Sequence, residues 1–310
     1  MANIAVLNGR LMPLSRAVIS VEDRGYSFGD GVYEVVRVYG GVPFLLREHL
    51  WRFERSAQAI QLSRRPSPAQ WERWARRAVA ASGHDEAKLY LQLTRGVAPR
   101  DHVFPPKSRP TALVTVRPLT PFPIDPKGGV RVVTMPDIRW GRCDIKSLNL
   151  LPNVLAKQYA KQRGVFEALF IRPAVGVTEG SSSNLFLVAR DGTVVTPPAG
   201  PTILSGITRE AVIALARQDG LKVIEAAISP QQLAEAAELF LTGTLSEVVP
   251  VVRVDDRPVG LGRPGPFTLQ LAGRFGQWVR QQTGQRRNDE NERSMAGHRP
   301  VRASRVRRRK

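Results

Sequence analysis

The chain has 310 residues, and its 46 lysine and arginine residues outnumber its 27 aspartate and glutamate residues, for a formal net charge of +19. A hydrophobic content of 42% and a charged content of 24% are typical of a globular protein and exclude a fully disordered chain. No apolar run reaches the roughly 18 residues of a membrane-spanning helix, and a single cysteine excludes a disulfide scaffold.

Three dipeptide turns between β-prone segments predict β-hairpins along the chain. The dipeptides are Asn8-Gly9, Gly40-Gly41 and Asp191-Gly192. Asparagine, aspartate and glycine tolerate the positive φ angles of two-residue hairpin turns, so each dipeptide is predicted to join two antiparallel strands. Further strands are predicted at Lys88–Thr94, Thr111–Val116, Val130–Met135 and Glu167–Ile171.

Helices are predicted where apolar residues recur on one face or where a start signal occurs. From Glu48–Ile60 the apolar residues fall on one helical face. Ser67–Gln70 combines a capping box with proline at the first helical position, which predicts a helix to about Ser82. The same signature occurs at Ser229–Gln232, and the segment Leu204–Glu210 is predicted to open another periodic helix.

Four prolines and a glycine pair within residues 117–129 predict a connector between two folded units. Proline cannot donate a backbone hydrogen bond to a neighbouring strand, so this segment does not continue a sheet. We predict an N-terminal α/β domain over residues 1–118, a connector over 119–129 and a C-terminal domain over 130–285. Both domains are expected to be α+β with mixed sheets. Residues 286–310 are strongly basic with few apolar residues, which predicts a disordered tail.

Several common catalytic motifs are absent from the sequence. It contains no Gly-x-x-x-x-Gly-Lys phosphate-binding loop and no Gly-x-Ser-x-Gly nucleophile elbow. The four histidines and one cysteine are too scattered to form a local zinc-binding motif. The sequence therefore does not favour a P-loop enzyme, a serine hydrolase or a metallohydrolase.

Three segments combine glycine, polar and charged residues in an unusual way. They are Arg24–Glu34 (RGYSFGDGVYE), Arg142–Leu151 (RCDIKSLNLL) and Thr178–Phe186 (TEGSSSNLF). Together with RGVAPRDHVFP, their order and separation resemble pyridoxal-phosphate-dependent enzymes of fold type IV, and among these most closely the D-amino-acid aminotransferases. The resemblance runs from about Asn8 to about Gln282. It implies a two-domain α/β fold with the cofactor in the cleft between the domains.

The resemblance implies which residues hold the cofactor. Lys146 matches the family's lysine, which binds pyridoxal phosphate as a Schiff base and carries the catalytic proton. Glu179 matches the carboxylate that keeps the pyridine nitrogen protonated, and a carboxylate paired in that way is expected to have a depressed pKa. The family's phosphate contacts are matched by Arg52, Ile207, Thr208 and Thr244. A helix start such as the one predicted at Leu204–Glu210 is in itself a favourable anion site.

Recognition of the substrate distinguishes the members of the family. D-amino-acid aminotransferases bind the substrate carboxylate through an Arg-x-His pair and a tyrosine, which Arg100, His102 and Tyr33 match. Arginine offers two parallel hydrogen bonds to a carboxylate, and histidine adds a donor. Because the family's Arg-x-His loop reaches the neighbouring subunit, the resemblance implies a homodimer. It also implies a transaminase that moves the amino group of a D-amino acid such as D-alanine to a 2-oxo acid such as 2-oxoglutarate.

Two departures from the family pattern leave alternatives open. Compared with a D-amino-acid aminotransferase, Gly243 replaces a hydroxyl residue and Arg37 replaces lysine, whereas branched-chain enzymes tend to have arginine at the second position. The alternatives within the fold are a branched-chain L-amino-acid aminotransferase and a 4-amino-4-deoxychorismate lyase. Outside enzymes, the basic tail suits a nucleic-acid-binding protein with an inactive aminotransferase body. The intact lysine, glutamate and arginine positions favour an enzyme.

The expected cellular setting follows from signals that are missing. Met1–Pro13 has no basic segment followed by an apolar stretch, as an export signal has. Cys143 alone cannot form an intramolecular disulfide, which is typical of a reducing cytoplasm. We therefore expect a cytoplasmic enzyme that acts on small amino acids and 2-oxo acids, without a membrane, metal or nucleic-acid partner.

Overall fold

The computed structural model describes residues 3–119 and 128–284. Within these ranges the chain forms two β-sheets with helices packed against them, which confirms the prediction of an α/β fold. The helices are α1 (Arg24–Phe28), α2 (Leu46–Ala59), α3 (Pro68–Ser82), α4 (Leu151–Gln162), α5 (Ile207–Gln218), α6 (Pro230–Glu235) and α7 (Pro266–Thr283). The strands are β1 (Ile4–Leu7), β2 (Arg10–Pro13), β3 (Gly31–Tyr39), β4 (Val42–Pro43), β5 (Ala87–Thr94), β6 (Thr111–Pro118), β7 (Val130–Pro136), β8 (Glu167–Arg172), β9 (Gly176–Gly180), β10 (Asn184–Val188), β11 (Val194–Thr196), β12 (Val223–Glu225), β13 (Glu238–Gly243), β14 (Glu247–Val254) and β15 (Arg257–Pro258).

The first sheet has six strands in the order β2-β1-β6-β5-β3-β4, and every neighbouring pair is antiparallel. The prediction of a mixed sheet in this half is therefore wrong. Turn signals and periodicity locate strands but do not set their relative directions, which depend on where the longer connections return the chain. The hairpins at Asn8-Gly9 and Gly40-Gly41 are confirmed, and their four residues have φ angles between 50° and 83°.

Helices α2 and α3 pack against this first sheet. Phe53 of α2 and Trp71 of α3 are buried against strand residues such as Leu89 and Leu91, which alternate with less buried positions along β5. The rings of Phe53 and Trp71 meet edge to face with centroids 5.1 Å apart. Helix α3 begins at the predicted capping box, whose N-cap residue is Ser67. The predicted amphipathic helices therefore build the core of the first half.

The second sheet is mixed, as predicted, and has nine strands. Eight follow the order β12-β11-β10-β13-β14-β7-β8-β9, and β15 pairs with β14. The β11–β12, β14–β7 and β7–β8 pairs are parallel. Helices α5 and α7 share a core with this sheet, in which Phe186 and Phe240 stack with centroids 4.7 Å apart. Tyr39 and Phe44 from the first half are buried in the same core, so the two halves share a packed boundary.

Three further sequence signals correspond to elements of the structure. Helix α2 begins at Leu46, two residues earlier than predicted. The capping box at Ser229 forms and starts α6. The Asp191-Gly192 turn joins β10 and β11 as predicted, but through a longer loop over residues 189–193. In this loop the Asp191 carboxylate accepts hydrogen bonds of 3.0 Å from the N–H and the hydroxyl of Thr193, which forms a local turn instead of a strand end.

Residues 120–127 of the 119–129 connector and the whole 286–310 tail lie outside the described residues. The two sheets fall on either side of the connector in chain order, and the division into domains at 1–118 and 130–285 stays a prediction. Across residues 3–119 and 128–284, no helix is long and apolar enough to cross a membrane.

The stacked aromatic pair of the second core provides a test of its packing. We expect Phe240→Ala to lower the free energy of unfolding by about 3–5 kcal/mol, because the variant loses buried apolar surface and leaves a cavity. Leu261→Ala, at a residue that is 82% exposed, is the control and should change the same quantity by less than about 0.5 kcal/mol. Urea unfolding followed by circular dichroism measures both variants. An equally small change in the two would contradict the packing.

Candidate active site

One cavity gathers most of the residues that the sequence analysis selected. It has a volume of about 410 Å³ and is lined by both halves of the chain. The selected residues that line it are Tyr33, Arg52, Lys146, Glu179, Ile207, Thr208 and Thr244. Arg100 and His102 are described but do not line it. The structure thus brings together seven of the nine predicted positions.

Lys146 enters the cavity from the loop between β7 and α4. Its backbone N–H donates to the Ser56 hydroxyl at 3.2 Å, and its carbonyl accepts from the Tyr33 N–H at 3.0 Å. The next bond along, from the Leu148 N–H to the Gly31 carbonyl at 3.0 Å, also joins the loop to β3. The side-chain nitrogen Nζ lies 4.2 Å from the centroid of the Tyr33 ring, which is a cation–π contact. The loop and the tyrosine together place the amine in the cavity.

A buried carboxylate that the sequence analysis missed anchors Arg52. Glu34 is fully buried and accepts hydrogen bonds from Arg52 Nε at 2.7 Å and Nη2 at 2.9 Å. The Nδ1 atom of His49 lies 2.8 Å from the same carboxylate. Because an ionised carboxylate can only accept hydrogen bonds, Nδ1 is the donor. Burial lowers the pKa of His49 itself. Burial alone would raise the pKa of Glu34, but Arg52 and His49 together hold it well below its ordinary value.

This ion pair determines which donors of Arg52 remain for a ligand. Nε and Nη2 each donate to Glu34, and Nη1 donates to the Ser205 carbonyl at 2.9 Å. Of the five N–H groups of the guanidinium, one on Nη1 and one on Nη2 are left for a phosphate. The pattern of β3 contains a signal that identifies Glu34, since this residue stands among alternating buried valines. A carboxylate on the core side of a strand needs a cationic partner. His49 and Arg52, three residues apart on α2, share the face that supplies it.

Glu179 lies on β9 and is also buried. Arg139 Nη1 donates to one of its carboxylate oxygens. Asn184 Nδ2 and the Leu204 N–H donate to the other oxygen at 3.0 and 3.1 Å. Burial raises the pKa of Glu179 to about 7 despite the attraction of Arg139. The expected depression of this pKa is therefore not found in the chain by itself, because desolvation outweighs the single nearby guanidinium.

Arg139 is itself shared with a second carboxylate. Its Nε and Nη2 atoms donate to Asp137 at 2.9 Å, and Arg172 lies 3.1 Å from the same carboxylate. Burial opposes ionisation of Asp137, but these two guanidinium groups hold its pKa below its ordinary value. Arg142 does not join this network, since it is exposed and pairs with Asp144. The guanidinium of Arg139 is therefore shared between the ionised carboxylate of Asp137 and the carboxyl group of Glu179.

The first turn of α5 forms an anion-binding wall of the cavity. Gly206, Ile207 and Thr208 line the cavity, and the latter two begin the helix. The N–H groups of a first helical turn have no partner within the helix and carry a partial positive charge. A side chain is excluded at the N-cap residue Gly206, because a Cβ there would lie 2.0 Å from Asn184 Oδ1. The helix start therefore approaches the Glu179 network closely.

Two buried hydroxyl groups at this wall indicate a missing partner. Ser183 Oγ and Thr242 Oγ1 have no hydrogen-bond partner within the described parts of the chain, and both residues line the cavity beside Thr244. Buried polar atoms are normally satisfied. Unpartnered hydroxyls, a helix start and the amine of Lys146 in one cavity fit an anionic aldehyde cofactor such as pyridoxal phosphate.

The predicted carboxylate-binding pair is located elsewhere. Arg100 and His102 are exposed on the irregular segment between β5 and β6. Both rest against Phe28 of α1, with Arg100 Cζ 4.9 Å from its ring centroid and the His102 ring centroid 5.5 Å away. Only Tyr33, the third predicted member, lies beside Lys146. The structure does not bring the complete trio together within one chain.

The two departures from the family pattern meet at one turn. Arg37 Nη1 donates to the Leu245 carbonyl at 3.0 Å and pairs with Glu247 at 2.7 Å. A Cβ at Gly243 would lie 2.7 Å from Ser246 Oγ, so the glycine relieves crowding inside the turn. The turn, residues 243–247, joins β13 to β14 and carries the predicted phosphate contact. Both departures therefore act on the shape of the cavity wall.

The raised pKa of Glu179 predicts how stability depends on pH. Its pKa rises from an ordinary value of 4.5 to about 7 on folding, so ionisation of Glu179 destabilises the folded state. This destabilisation is absent below pH 4.5 and complete above about pH 7. In urea unfolding of the cofactor-free protein, we expect Glu179→Gln to match the wild type near pH 4.5 and to be more stable by about 3 kcal/mol at about pH 8. A wild type that gains stability over the variant between these pH values would contradict the raised pKa.

Comparisons of the sequence with known proteins agree on one family. The amino-transferase class IV family matches residues 31–254. A D-alanine aminotransferase of Bacillus licheniformis is 43% identical over 266 residues, which cover 86% of this chain and 93% of that protein. A D-alanine aminotransferase of Staphylococcus aureus strain COL is 42% identical over 274 residues, which cover 88% of this chain and 96% of that protein.

Solved structures with the same fold are also aminotransferases. A branched-chain amino acid aminotransferase from T.th., solved with pyridoxamine 5'-phosphate, has a TM-score of 0.83 at 29% identity, and the match covers 92% of this chain and 95% of that one. The Escherichia coli branched-chain amino acid aminotransferase has a TM-score of 0.81 at 27% identity, with 87% and 92% covered. The chain therefore belongs to the class IV aminotransferase family and is a pyridoxal-phosphate-dependent transferase.

Proposed function

We propose that the chain is a D-amino-acid transaminase, which transfers the amino group of a D-amino acid such as D-alanine to a 2-oxo acid such as 2-oxoglutarate. The observation that carries the proposal is the meeting of Lys146, Tyr33 and Glu179 in one cavity, in a chain 43% identical to a D-alanine aminotransferase. The Arg-Asp-His sequence at residues 100–102 supports a D-amino acid as the donor. The proposed location is the cytoplasm, in keeping with the single buried Cys143.

Lys146 and Glu179 are assigned complementary tasks with protons. Pyridoxal phosphate, when bound, supplies an electron sink for the carbanion that forms when the substrate loses its Cα proton. Lys146 would hold the cofactor's aldehyde carbon and, once displaced by the substrate, move the Cα proton through Nζ. Tyr33, 4.2 Å from Nζ, orients that amine. Glu179, as an ionised carboxylate, would accept a hydrogen bond from the ring nitrogen and so hold the proton there, and the positive charge of the protonated ring would favour that ionised form.

The phosphate group would be held at the α5 end of the cavity. The residues assigned to it are Arg52, Ile207, Thr208 and Thr244. Because Glu34 balances the charge of Arg52, attraction for the phosphate depends strongly on the N–H groups of the α5 start. The unpartnered hydroxyls of Ser183 and Thr242 are further donors in the same wall.

A homodimer completes the proposed site. Arg100 and His102 are exposed and lie outside the cavity of their own chain. They can bind a substrate carboxylate if the segment reaches the cavity of a second copy, as the family resemblance implies. Exposed apolar side chains, among them Trp51 at 69% and Leu151 at 68%, supply surface for such an interface.

A branched-chain L-amino-acid aminotransferase is the second candidate function. The solved structures with high TM-scores include branched-chain enzymes. The family resemblance also associates an arginine at the position of Arg37 with that group. Arg37 also shapes the turn at residues 243–247 through the Leu245 carbonyl. The 43% identity to a D-alanine aminotransferase, against 29% to the T.th. branched-chain enzyme, favours the first candidate.

The choice of amino donor separates the two candidates. We expect the purified enzyme to transfer the amino group of D-alanine to 2-oxoglutarate, and to turn over L-leucine at least about tenfold more slowly. Activity on L-leucine alone would assign the branched-chain function instead. Coupled assays of pyruvate and glutamate formation make the measurement.

Substitution of Lys146 tests the catalytic amine. We expect Lys146→Ala to reduce D-alanine turnover by about 10²- to 10⁴-fold, because a positioned proton-transfer group contributes that much. Borohydride reduction and peptide mapping of the wild type should find the cofactor on Lys146. Lys157, which lines the same cavity and donates to the Phe166 carbonyl, is the matched control. Lys157→Ala should keep the yellow colour and most of the activity, and a label on Lys157 would contradict the assignment.

Substitution of Arg100 tests the proposed carboxylate contact. We expect Arg100→Gln to raise the KM for D-alanine about 10- to 100-fold, because a hydrogen bond to a charged group is worth about 1.5–3 kcal/mol. His102→Gln should raise it less. Lys107→Gln, at an exposed position of the same segment, is the control for a lost charge. Steady-state kinetics measure all three, and an unchanged KM in Arg100→Gln would remove the segment from the site.

A further inference from the structure

The segment that carries Arg100 and His102 has no regular secondary structure, yet three of its carbonyl oxygens converge on one buried guanidinium. Arg24 is 3% exposed and donates through Nη1 to the Asp101 carbonyl. Longer bonds lead from Nη2 to the His102 carbonyl at 3.4 Å and from Nη1 to the Val103 carbonyl at 3.5 Å. Arg24 therefore holds the backbone carbonyls of residues 101–103, beside the two predicted substrate contacts.

Asp30 ties this guanidinium to a second one. Arg24 Nε donates to Asp30 Oδ2 at 2.8 Å. Arg95 donates to both oxygens of the same carboxylate, at 2.8 Å through Nε and 3.0 Å through Nη2. Arg95 also donates to the carbonyls of Ile60 at 2.7 Å and Gln61 at 3.2 Å, just beyond the C-terminal end of α2. Asp30 thus links the exposed segment to the packed body of the first half.

Aromatic contacts hold the segment on its other side. Arg95 Cζ lies 3.5 Å from the centroid of the Phe104 ring. The Phe28 ring lies between charged groups, with Arg24 Cζ at 4.7 Å and Arg100 Cζ at 4.9 Å from its centroid. Such cation–π contacts are strongest where water is excluded. The segment is therefore fixed both at its backbone and at Phe104.

We propose that Arg24, Asp30 and Arg95, the arginine clamp, position Arg100 and His102 to receive the substrate carboxylate. None of the three lines the cavity, so they are positioning residues rather than catalytic ones. A segment that is already ordered binds without the entropic cost of ordering it. The inference rests on the proposed function, in which Arg100 and His102 bind the carboxylate.

The test is substitution of Arg24 in the holoenzyme. We expect Arg24→Gln to raise the KM for D-alanine about tenfold with kcat changed less than about threefold, because the contacts to the carboxylate are lost while the chemical step keeps its residues. Hydrogen exchange of the amides at residues 101–104 should become faster. Arg24→Lys keeps a charged donor for Asp30 and one carbonyl, so its KM should lie between those of the wild type and Arg24→Gln.

Arg65 provides a matched control in the same half of the chain. It also pairs with a carboxylate, that of Glu54, and donates to a carbonyl, that of Leu62 at 2.6 Å. Arg65→Gln should leave both the KM for D-alanine and the exchange at residues 101–104 unchanged. A rise of KM equal to that of Arg24→Gln would overturn the proposal, because it would show a general loss of stability.

The outcomes separate the clamp from the proposed function. A normal KM in Arg24→Gln beside a raised KM in Arg100→Gln overturns the clamp alone. A normal KM in both overturns the proposed substrate site as well. If Arg24→Gln does not fold, Arg24→Lys and Asp30→Asn are judged by the same two measurements, and unchanged KM and exchange in both overturn the proposal.

Discussion

The buried pairing of Glu34 with Arg52 holds the cavity together. Side chains alternate along β3, so Tyr33 faces the cavity while Glu34 faces the core. A carboxylate in the core is tolerated only with cationic and hydrogen-bonding partners, and α2 supplies them through Arg52 and His49. Arg52 in turn reaches the Ser205 carbonyl just before α5. One buried charge thus sets the relative positions of β3, α2 and α5, the elements on which much of the site depends.

Two buried carboxyl groups in this site have opposite acidities because their partners differ. Arg52 and His49 both hydrogen-bond to the Glu34 carboxylate, which keeps the pKa of Glu34 low and makes it a permanent anion. Glu179 shares Arg139 with Asp137, so burial prevails and its pKa rises to about 7. The permanent charge of Glu34 holds structure, whereas Glu179 would become ionised when a positively charged ring nitrogen is held beside it. The environment, rather than the residue type, therefore divides the structural task from the chemical one.

The many arginines of this basic chain serve its shape as much as its charge. Arg24 and Arg95 hold the 100–104 segment, and Arg37 holds the turn at residues 243–247 through a carbonyl and a carboxylate. A guanidinium can bind a carboxylate and carbonyl oxygens at once, which lets it order irregular backbone. Net charge alone pointed to anionic ligands, but within the described residues each of these arginines pairs with an acid: Arg24 and Arg95 share Asp30, and Arg37 pairs with Glu247.

Local sequence signals determined the elements of this protein and, through family motifs, a set of site residues. The turn at Asn8-Gly9 and the capping box at Ser67 formed where predicted, because they depend only on residues within a few positions. The directions of the strands, the partner of Arg52 and the acidity of Glu179 came from tertiary structure. Arg52 and Glu34 are 18 residues apart, and Arg139 and Glu179 are 40 apart. The pattern of β3 marks Glu34 as a core carboxylate that needs a cation. Desolvation and ion pairing, however, act between groups that only the folded chain brings together, so the partner and the acidity are decided there.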